Sequence, residues 1–313
     1  MATAILILNY NTASDTIACI QSIEAHNSAS VKYIVVDNGS SDKRGILLLD
    51  NFFKTSEKSY RKLSDKDLPS SPLSYFTFLL SSENDGYAKG NNKGLRFAFS
   101  DPEIDNILII NSDVLFTEDL IPALRHIQAV KPNCGFVTPL IISRWGRIDH
   151  TCARKAPTNW DIIIPFLMMR KKWFNILSRL DAHQKILKEH PELVEQPVFP
   201  VDTPSGACMM IEKHLMAIIG GFDPNTFLYY EENILFKKLQ ALSRKSYCTP
   251  TVKCTHLGAS STQQLPTLFL KKCNLASADY YLSAYGNMSF MQRLAWKTAK
   301  LLWNVKFKLS HSA

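Results

Sequence analysis

The sequence lacks the hallmarks of several protein classes. Its seven cysteines are scattered and odd in number, and none forms a CxxC pair, which argues against a disulfide scaffold and for a reducing compartment. The apolar run at residues 3–9 is far too short to span a membrane, and no basic leader or cleavage site precedes it. We therefore expect a cytoplasmic protein whose first residues form a core strand.

Composition and charge leave the choice of partner open. The chain has 313 residues, of which 46% are hydrophobic and 20% charged, and its formal charge is +8. This length is enough for one large domain or for a domain with an appendage. A basic balance fits nucleic acid, anionic lipid or a phosphate-rich small substrate. No recognised nucleic-acid-binding motif is present, so we expect no nucleic acid partner.

Short apolar runs alternate with helical patterns through the first half of the chain. This alternation predicts an α/β fold with a doubly wound, mostly parallel sheet. Residues 54–74 are rich in Ser, Lys and Asp and are interpreted as a surface excursion. The predicted strands are 3–9, 31–37, 75–80, 107–111 and 135–141, and the predicted helices lie near 14–26, up to 99 and over 118–130.

Two later segments combine aromatic and basic residues. Residues 144–200 contain three tryptophans and the basic cluster 170–172, and the tail from about 288 to 309 intersperses apolar residues with Lys and Arg. Such segments suit the surface of an anionic membrane. A packed insertion and an ordinary docked C-terminal helix are the alternatives.

Polar residues follow the first two predicted strands. Asp37 ends one strand and precedes a tight turn, while Asn9 and Asn11 end its neighbour. Ligands of open α/β sheets bind at this edge, so these side chains are candidates for binding a nucleotide. Asp37 as a helix cap, and the asparagines as turn formers, are the structural alternatives.

Further along the chain, polar residues suggest a metal and a base. Asn111 and Asp113 follow an almost wholly apolar strand and are spaced to share a hard cation. Glu231 and Glu232 begin a helix, where the helix dipole alone would favour them. His256 would be a further metal ligand if the fold brings it to Asp113, and is otherwise a structural histidine.

Taken together, the motifs resemble those of family 2 glycosyltransferases, the inverting enzymes with the GT-A fold. The resemblance covers about residues 3–262, breaks off in the insertion, and points to the rhamnosyltransferase-like branch that builds bacterial surface polysaccharides such as O-antigen or capsule. The stretches that carry it are DNGSSD at 37–42, NDGYAKGNN at 84–92, NSD at 111–113, SGACMMI at 205–211, GGFD at 220–223, FLYYEE at 227–232 and HLGASS at 256–261.

The resemblance implies an architecture and a set of partners. A GT-A domain with a Rossmann-like sheet would occupy residues 1–265, with a helical insertion at about 144–200. A helical, membrane-associating segment would follow at 266–313. The donor would be a sugar linked to UDP, dTDP or GDP, the cofactor Mn²⁺ or Mg²⁺, and the acceptor a saccharide carried on polyprenyl diphosphate at the cytoplasmic membrane face.

The resemblance also implies a role for individual residues. Glu232 would be the catalytic base and Asp113 the metal ligand, with His256 beside it. Gly206 and Glu231 would contact the acceptor or the sugar. The nucleotide-binding residues would be Asn9, Asn11, Asp37, Lys89 and Asn111.

Two departures from the family pattern bear on activity. Asn111 opens a triplet that usually begins with Asp, which removes one charge from the metal site, and Glu232 stands where the family usually has Asp. A degenerate module that binds nucleotide or carbohydrate without transfer is therefore an alternative. A nucleotidyltransferase is a weaker one, because residues 9–12 lack the Gly-rich loop with Arg and Lys which that class requires.

Overall fold

A computed structural model describes residues 2–69, 72–168, 185–258 and 264–309, with side chains of the last helix described as far as Val305. The predicted basic cluster at 170–172 lies outside these residues, as does the end of the HLGASS motif. Helices flank a central sheet, so the predicted α/β class is confirmed.

The described strands form one twisted sheet in the order β3-β4-β2-β1-β5-β9-β7-β10-β6, with β8 paired to β10. The first five strands in this order are parallel, and the remaining half is mixed. The strands are β1 (Ala2–Asn9), β2 (Val31–Asp37), β3 (Tyr60–Ser64), β4 (Phe76–Leu80), β5 (Ile104–Asn111), β6 (Val114–Phe116), β7 (Cys134–Ser143), β8 (Phe199–Val201), β9 (Cys208–Glu212) and β10 (Lys245–His256).

The helices cover both faces of this sheet. They are α1 (Ala13–His26), α2 (Lys43–Lys54), α3 (Gly86–Ser100), α4 (Ile121–Val130), α5 (Asn159–Met168), α6 (Ile186–Glu189), α7 (Lys213–Ile218), α8 (Glu231–Ala241), α9 (Thr267–Ala284) and α10 (Phe290–Leu309). A 3-10 turn at Pro191–Glu195 follows α6.

Side-chain alternation along the strands builds two cores. In β1, Ile5 and Ile7 pack with α1, α2 and α4, whereas Ala4 and Leu6 pack with α3 and α7 on the opposite face. Successive side chains of a strand point to opposite faces, so a strand buried on both sides is apolar at nearly every position. This burial explains why the parallel strands are continuous apolar runs in the sequence.

A third apolar cluster joins the insertion to the tail. Phe166 of α5 contacts Trp296 and Trp303 of α10 edge-on, and the Trp303 indole N–H donates to the Phe166 carbonyl over 2.8 Å. Asn159 at the start of α5 donates to the Gly286 carbonyl over 2.6 Å. One face of α10 is therefore docked on the protein, as in the alternative to a membrane-associating tail.

Two predicted elements differ from the structure. The excursion at 54–74 contains β3, which adds a short parallel strand at the sheet edge beside β4. Helix α4 begins at Ile121 rather than near 118, because the carboxylates before it bind other segments. Glu118 accepts from the Lys253 amide over 2.8 Å, and Asp119 accepts from the Ser28 amide over 3.3 Å.

Candidate active site

A cavity of about 500 Å³ opens at the carboxyl edge of the parallel strands. The strand register creates it, since Leu8 pairs with Asn111 and Asn9 with Asp37, so these strands end together. Its polar lining includes Tyr10, Asn38, Asn84, Tyr87, Asn111, Ser112, Asp113, His150, Thr151, Arg154, Lys185, Ser205, Glu231, Glu232 and His256. Its volume is within the range of small-molecule sites.

One end of the cavity rests on a closed hydrogen-bond network. The Asn9 amide donates to Asp37 Oδ2 over 2.7 Å, and the Ser40 backbone N–H donates to Asp37 Oδ1 over 3.0 Å. The hydroxyls of Thr12 and Thr16 both donate to the side-chain oxygen Oδ1 of Asn9. Asn9 and Asp37 are buried in this network, directly below the turn that carries Asn38.

The predicted nucleotide-binding residues divide into two groups. Asn111 lines the cavity, whereas Asn9, Asn11, Asp37 and Lys89 are not among the described residues that do. Asn11 orders the turn after β2, because its backbone N–H donates to Ser40 Oγ and its side chain accepts from the Asp42 amide. Lys89 is exposed on α3.

Asp113 and His256 meet at the cavity wall, as the metal prediction requires. His256 ends β10, which pairs with β6 directly after Asp113. Its Nε2 lies 3.4 Å from Asp113 Oδ1, and its Nδ1 lies 3.1 Å from Asp149 Oδ2. Burial opposes a charge on His256, but the bonds to the two carboxylates outweigh it and raise its pKa to about 9.

Asp149 is held in turn by its own loop. The Thr151 amide and hydroxyl both donate to Asp149 Oδ1 over 2.7 Å. Burial opposes ionisation, yet the hydrogen bonds from His256 and Thr151 hold the pKa of Asp149 below its ordinary value. A metal at Nε2 must displace the proton there, and the Nδ1–H bond to Asp149 then orients the ring, an arrangement found at many metal sites.

This donor set suits a divalent cation whose coordination a substrate completes. Within the described part of the chain, no group of three or more His, Cys, Asp or Glu side chains could hold a metal alone. Asp113 and His256 supply one oxygen and one nitrogen, and Mn²⁺ and Mg²⁺ commonly take phosphate oxygens and water as further ligands.

The two adjacent glutamates at the start of α8 lie in different environments. Glu232 remains partly exposed, with 22% of its side chain accessible, and its Oε1 accepts from the Gly206 amide over 3.1 Å. Glu231 is buried, and burial together with the charge of Glu232 raises its pKa to about 8. At neutral pH the buried Glu231 is therefore protonated.

The backbone around these glutamates is unusually tight. A Cβ on Gly206 would lie 2.6 Å from Glu232 Oε1, so only glycine lets the carboxylate reach that amide. Tyr229 and Tyr230, directly before Glu231, both have φ near +70°. Non-glycine residues rarely adopt this conformation, and such strain often occurs at functional sites.

Sequence reasoning missed part of the far wall. Asp149, Thr151 and Arg154 belong to the insertion. Thr151 and Arg154 line the cavity, where Arg154 bridges Thr203 just before the Gly206 turn, and Asp149 contacts His256. Arg154 Nη2 lies 3.6 Å from Glu232 Oε1. A polar stretch directly after the predicted strand 135–141 was the available signal, but nothing local predicts a bridge across 49 residues.

The chain is similar in sequence to known glycosyltransferases. It is 25% identical over 229 residues to the low-salt glycan biosynthesis hexosyltransferase Agl10 of Haloferax volcanii, covering 73% of this chain and 58% of that protein. It is 24% identical over 215 residues to the N-acetylglucosaminyl-diphospho-decaprenol L-rhamnosyltransferase of Mycobacterium tuberculosis, covering 67% and 63%. The chain thus spans about three fifths of these relatives, and no family model matches it.

Solved structures with the same fold are also glycosyltransferases. GalNAc-T7, solved with UDP, GalNAc and Mn²⁺, superposes with a TM-score of 0.58 at 13% identity, covering 82% of this chain and 44% of that one. The mannosyltransferase PcManGT of Pyrobaculum calidifontis, solved with GDP-Man and Mn²⁺, gives 0.51 at 13% identity, covering 96% and 73%.

These comparisons define the class of the protein as one with the GT-A fold of glycosyltransferases. The motifs indicate a resemblance to family 2 and its rhamnosyltransferase-like branch. The sequence similarity to a hexosyltransferase and a rhamnosyltransferase confirms this resemblance.

Proposed function

We propose that the protein is an inverting glycosyltransferase that moves a sugar from a nucleoside diphosphate to a saccharide acceptor. One observation carries the proposal. The Asp113–His256 pair and the carboxylate of Glu232 line a single cavity at the carboxyl edge of the parallel strands. The donor diphosphate would bind beside Asp113 and His256, and the acceptor hydroxyl would bind beside Glu232.

The donor would lie across the strand ends. Asp113 and His256 would hold the divalent cation, which when bound offsets negative charge on the leaving diphosphate. The nucleobase would lie against Tyr10, Asn38 and Asn84, with Asn111 near the phosphates. Asn9, Asn11, Asp37 and Ser40 would order the turn beneath the base, and Lys89 would face phosphate only from the surface of α3.

Glu232 would accept the proton of the attacking hydroxyl. The Gly206 amide fixes one oxygen of its carboxylate, and a positioned carboxylate beside the acceptor hydroxyl suits a general base. Displacement from the face opposite the leaving group inverts the anomeric centre without a covalent enzyme intermediate. Gly206 and Glu231 would contact the acceptor or the transferred sugar.

A transfer assay over a donor panel tests this function. The protein is incubated with UDP-, dTDP- and GDP-sugars, Mn²⁺ and a synthetic N-acetylglucosaminyl-diphospho-lipid. We expect one donor class to give a disaccharide product by mass spectrometry, with NMR showing an anomeric configuration opposite to that of the donor. Retention of configuration, or no transfer from any of these donors, would contradict the proposal.

The acceptor would be lipid-linked, so the protein would work at the cytoplasmic face of a membrane. The described residues contain no helix long and apolar enough to cross one. Helix α10 nevertheless presents an apolar stripe on the face opposite its docked tryptophans. The exposed residues of this stripe are Phe290, Met291, Leu294, Leu301, Leu302 and Val305.

Positive charge accompanies the stripe, since Lys297 on the same helix is exposed and the chain carries a net charge of +8. We expect the protein to float with anionic vesicles, and the double variant F290S/L301S to bind them more weakly. The matched control is L68S, because Leu68 is 85% exposed and lies outside α10. Equal flotation of all three proteins would contradict docking through α10.

A further inference from the structure

Arg154 is a buried cation, and two of its three guanidinium nitrogens lack a hydrogen-bond partner among the described residues. Its side chain is only 7% accessible, yet Nε and Nη2 are cut off from solvent without an acceptor among the described residues. The nearest carboxylate oxygen, Glu232 Oε1, is 3.6 Å from Nη2, which is too far for a hydrogen bond. Burying a guanidinium in this state is unfavourable unless a ligand completes its bonding.

The backbone holds this cation in place. The Arg154 amide donates to the Thr203 carbonyl, and the Arg154 carbonyl accepts from the amides of Asp202 and Thr203. The side chain therefore projects from a fixed bridge into the cavity wall beside Glu232. A fixed planar guanidinium suits recognition of a phosphate, which it can contact through two N–H groups.

The position of Arg154 assigns it to the acceptor side. The donor diphosphate would be held through a divalent cation at Asp113 and His256, while Glu232 would contact the acceptor hydroxyl. When Glu232 takes up that proton, its negative charge disappears and Arg154 loses its nearest counter-ion. An anion on the acceptor would keep the buried guanidinium balanced through the reaction.

Resting on the proposed function, we infer that Arg154 forms an anion site for the acceptor, and that it binds a phosphate of a glycosyl diphosphate whose first sugar is the one that is extended. This phosphate lies about one sugar ring from the attacked hydroxyl, matching the closeness of Arg154 to Glu232. The site selects lipid-diphosphate saccharides over neutral glycosides.

Calorimetric binding with two probes tests the inference. One is N-acetylglucosamine joined through a diphosphate to a short alcohol, and the other is the same sugar joined directly to that alcohol. Divalent metal is chelated, so that Asp113 and His256 cannot recruit phosphate through a cation. We expect wild-type protein to bind the diphosphate probe at least about tenfold more tightly, since charge-assisted hydrogen bonds are strong.

The variant R154Q should lose most of that preference, while R154K, which keeps the charge but not the planar fork, should retain part of it. The control is K155Q, which removes the same charge at the next residue, where Lys155 pairs with Glu189. It should behave as wild type. Nucleotide affinity in the presence of Mn²⁺ should be unchanged in R154Q, which also shows that this variant is folded.

Equal binding of the two probes by wild-type protein, or binding of neither, overturns the inference. If R154Q loses affinity equally for both probes, the inference is also overturned, because Arg154 would then only position Glu232 and would not bind the phosphate. Since no step of this test requires sugar transfer, its failure can be distinguished from failure of the transfer assay.

Discussion

The two ends of the cavity differ in how completely their polar groups are bonded. At the ends of β1 and β2, Asn9 and Asp37 satisfy one another and Ser40 completes the network. On the opposite wall, Arg154 Nε and Nη2 and Glu231 Oε1 are buried without hydrogen-bond partners among the described residues. Closed networks stabilise a fold, whereas buried groups left open are unfavourable without a ligand.

Because of this difference, carboxylates that occur in similar sequence contexts have different functions. Asp37 and Glu232 both follow apolar or aromatic runs, yet one is bonded on both oxygens inside the protein and the other faces the cavity. Replacing a closed group should mainly change stability, and replacing an open group should mainly change activity or ligand binding.

The largest effect is expected at Glu232. The E232Q variant should lower turnover by about a hundredfold or more, because an amide cannot accept the acceptor proton, while donor affinity persists. Steady-state transfer rates and nucleotide titration measure the two quantities. The matched control is E192Q, at an exposed position of the 3-10 turn. Turnover close to wild type in E232Q would remove Glu232 from the role of base.

Metal affinity should depend on Asp149 although this residue is not a ligand. The D149N variant should weaken Mn²⁺ binding by about tenfold or more, since loss of the orienting carboxylate frees the ring of His256. Electron paramagnetic resonance of free Mn²⁺ measures the affinity without any assay of activity. D105N, which removes a carboxylate paired to Arg125 outside the cavity, is the control. Equal affinity of the three proteins would contradict this arrangement.

Replacing the closed carboxylate should chiefly affect folding. D37N replaces an acceptor of two buried hydrogen bonds, and should lower the free energy of unfolding by about 1–3 kcal/mol. Urea denaturation monitored by circular dichroism measures it. R154Q, on the open wall, should show no comparable loss. If R154Q is the less stable of the two variants, the contrast between the two ends does not hold.

A further prediction concerns how stability depends on pH. Glu231 has a pKa of about 8 in the folded protein, against an ordinary value of 4.5. Between these values the folded state binds more protons than the unfolded state, so Glu231 makes stability fall as pH rises. Near pH 4.5, E231Q should have the same melting temperature as wild type. Above pH 8, the melting temperature of E231Q should be the higher of the two. Parallel melting curves across this range would contradict the burial of Glu231 as a neutral acid.

Local patterns in the sequence predicted the strand side of the site. Continuous apolar runs ending in Asn9, Asp37 and Asn111 indicated parallel strands buried on both faces, and parallel strands end at a common edge. The structure also places His256 Nε2 3.4 Å from Asp113 Oδ1, and the role of this pair in holding a metal stays a prediction.

The far wall could not be predicted in this way. Arg154 reaches Glu232 through a bridge to Thr203, and Asp149 reaches His256 across 107 residues. Such contacts depend on tertiary packing, and no periodicity in the insertion records them. For the same reason, the packing of α5 on α10 was not predicted, although both segments had been singled out for their aromatic residues.

Thermal melting with nucleotides tests the central claim most directly, namely that this sheet edge binds a nucleoside diphosphate together with a divalent metal. The purified protein is melted with UDP, dTDP and GDP, each with and without Mn²⁺. A ligand that binds only the native state raises the melting temperature. The account predicts a Mn²⁺-dependent rise with one nucleotide, which would also identify the donor class. No rise with any of them would contradict the account and favour a module that has lost the donor site.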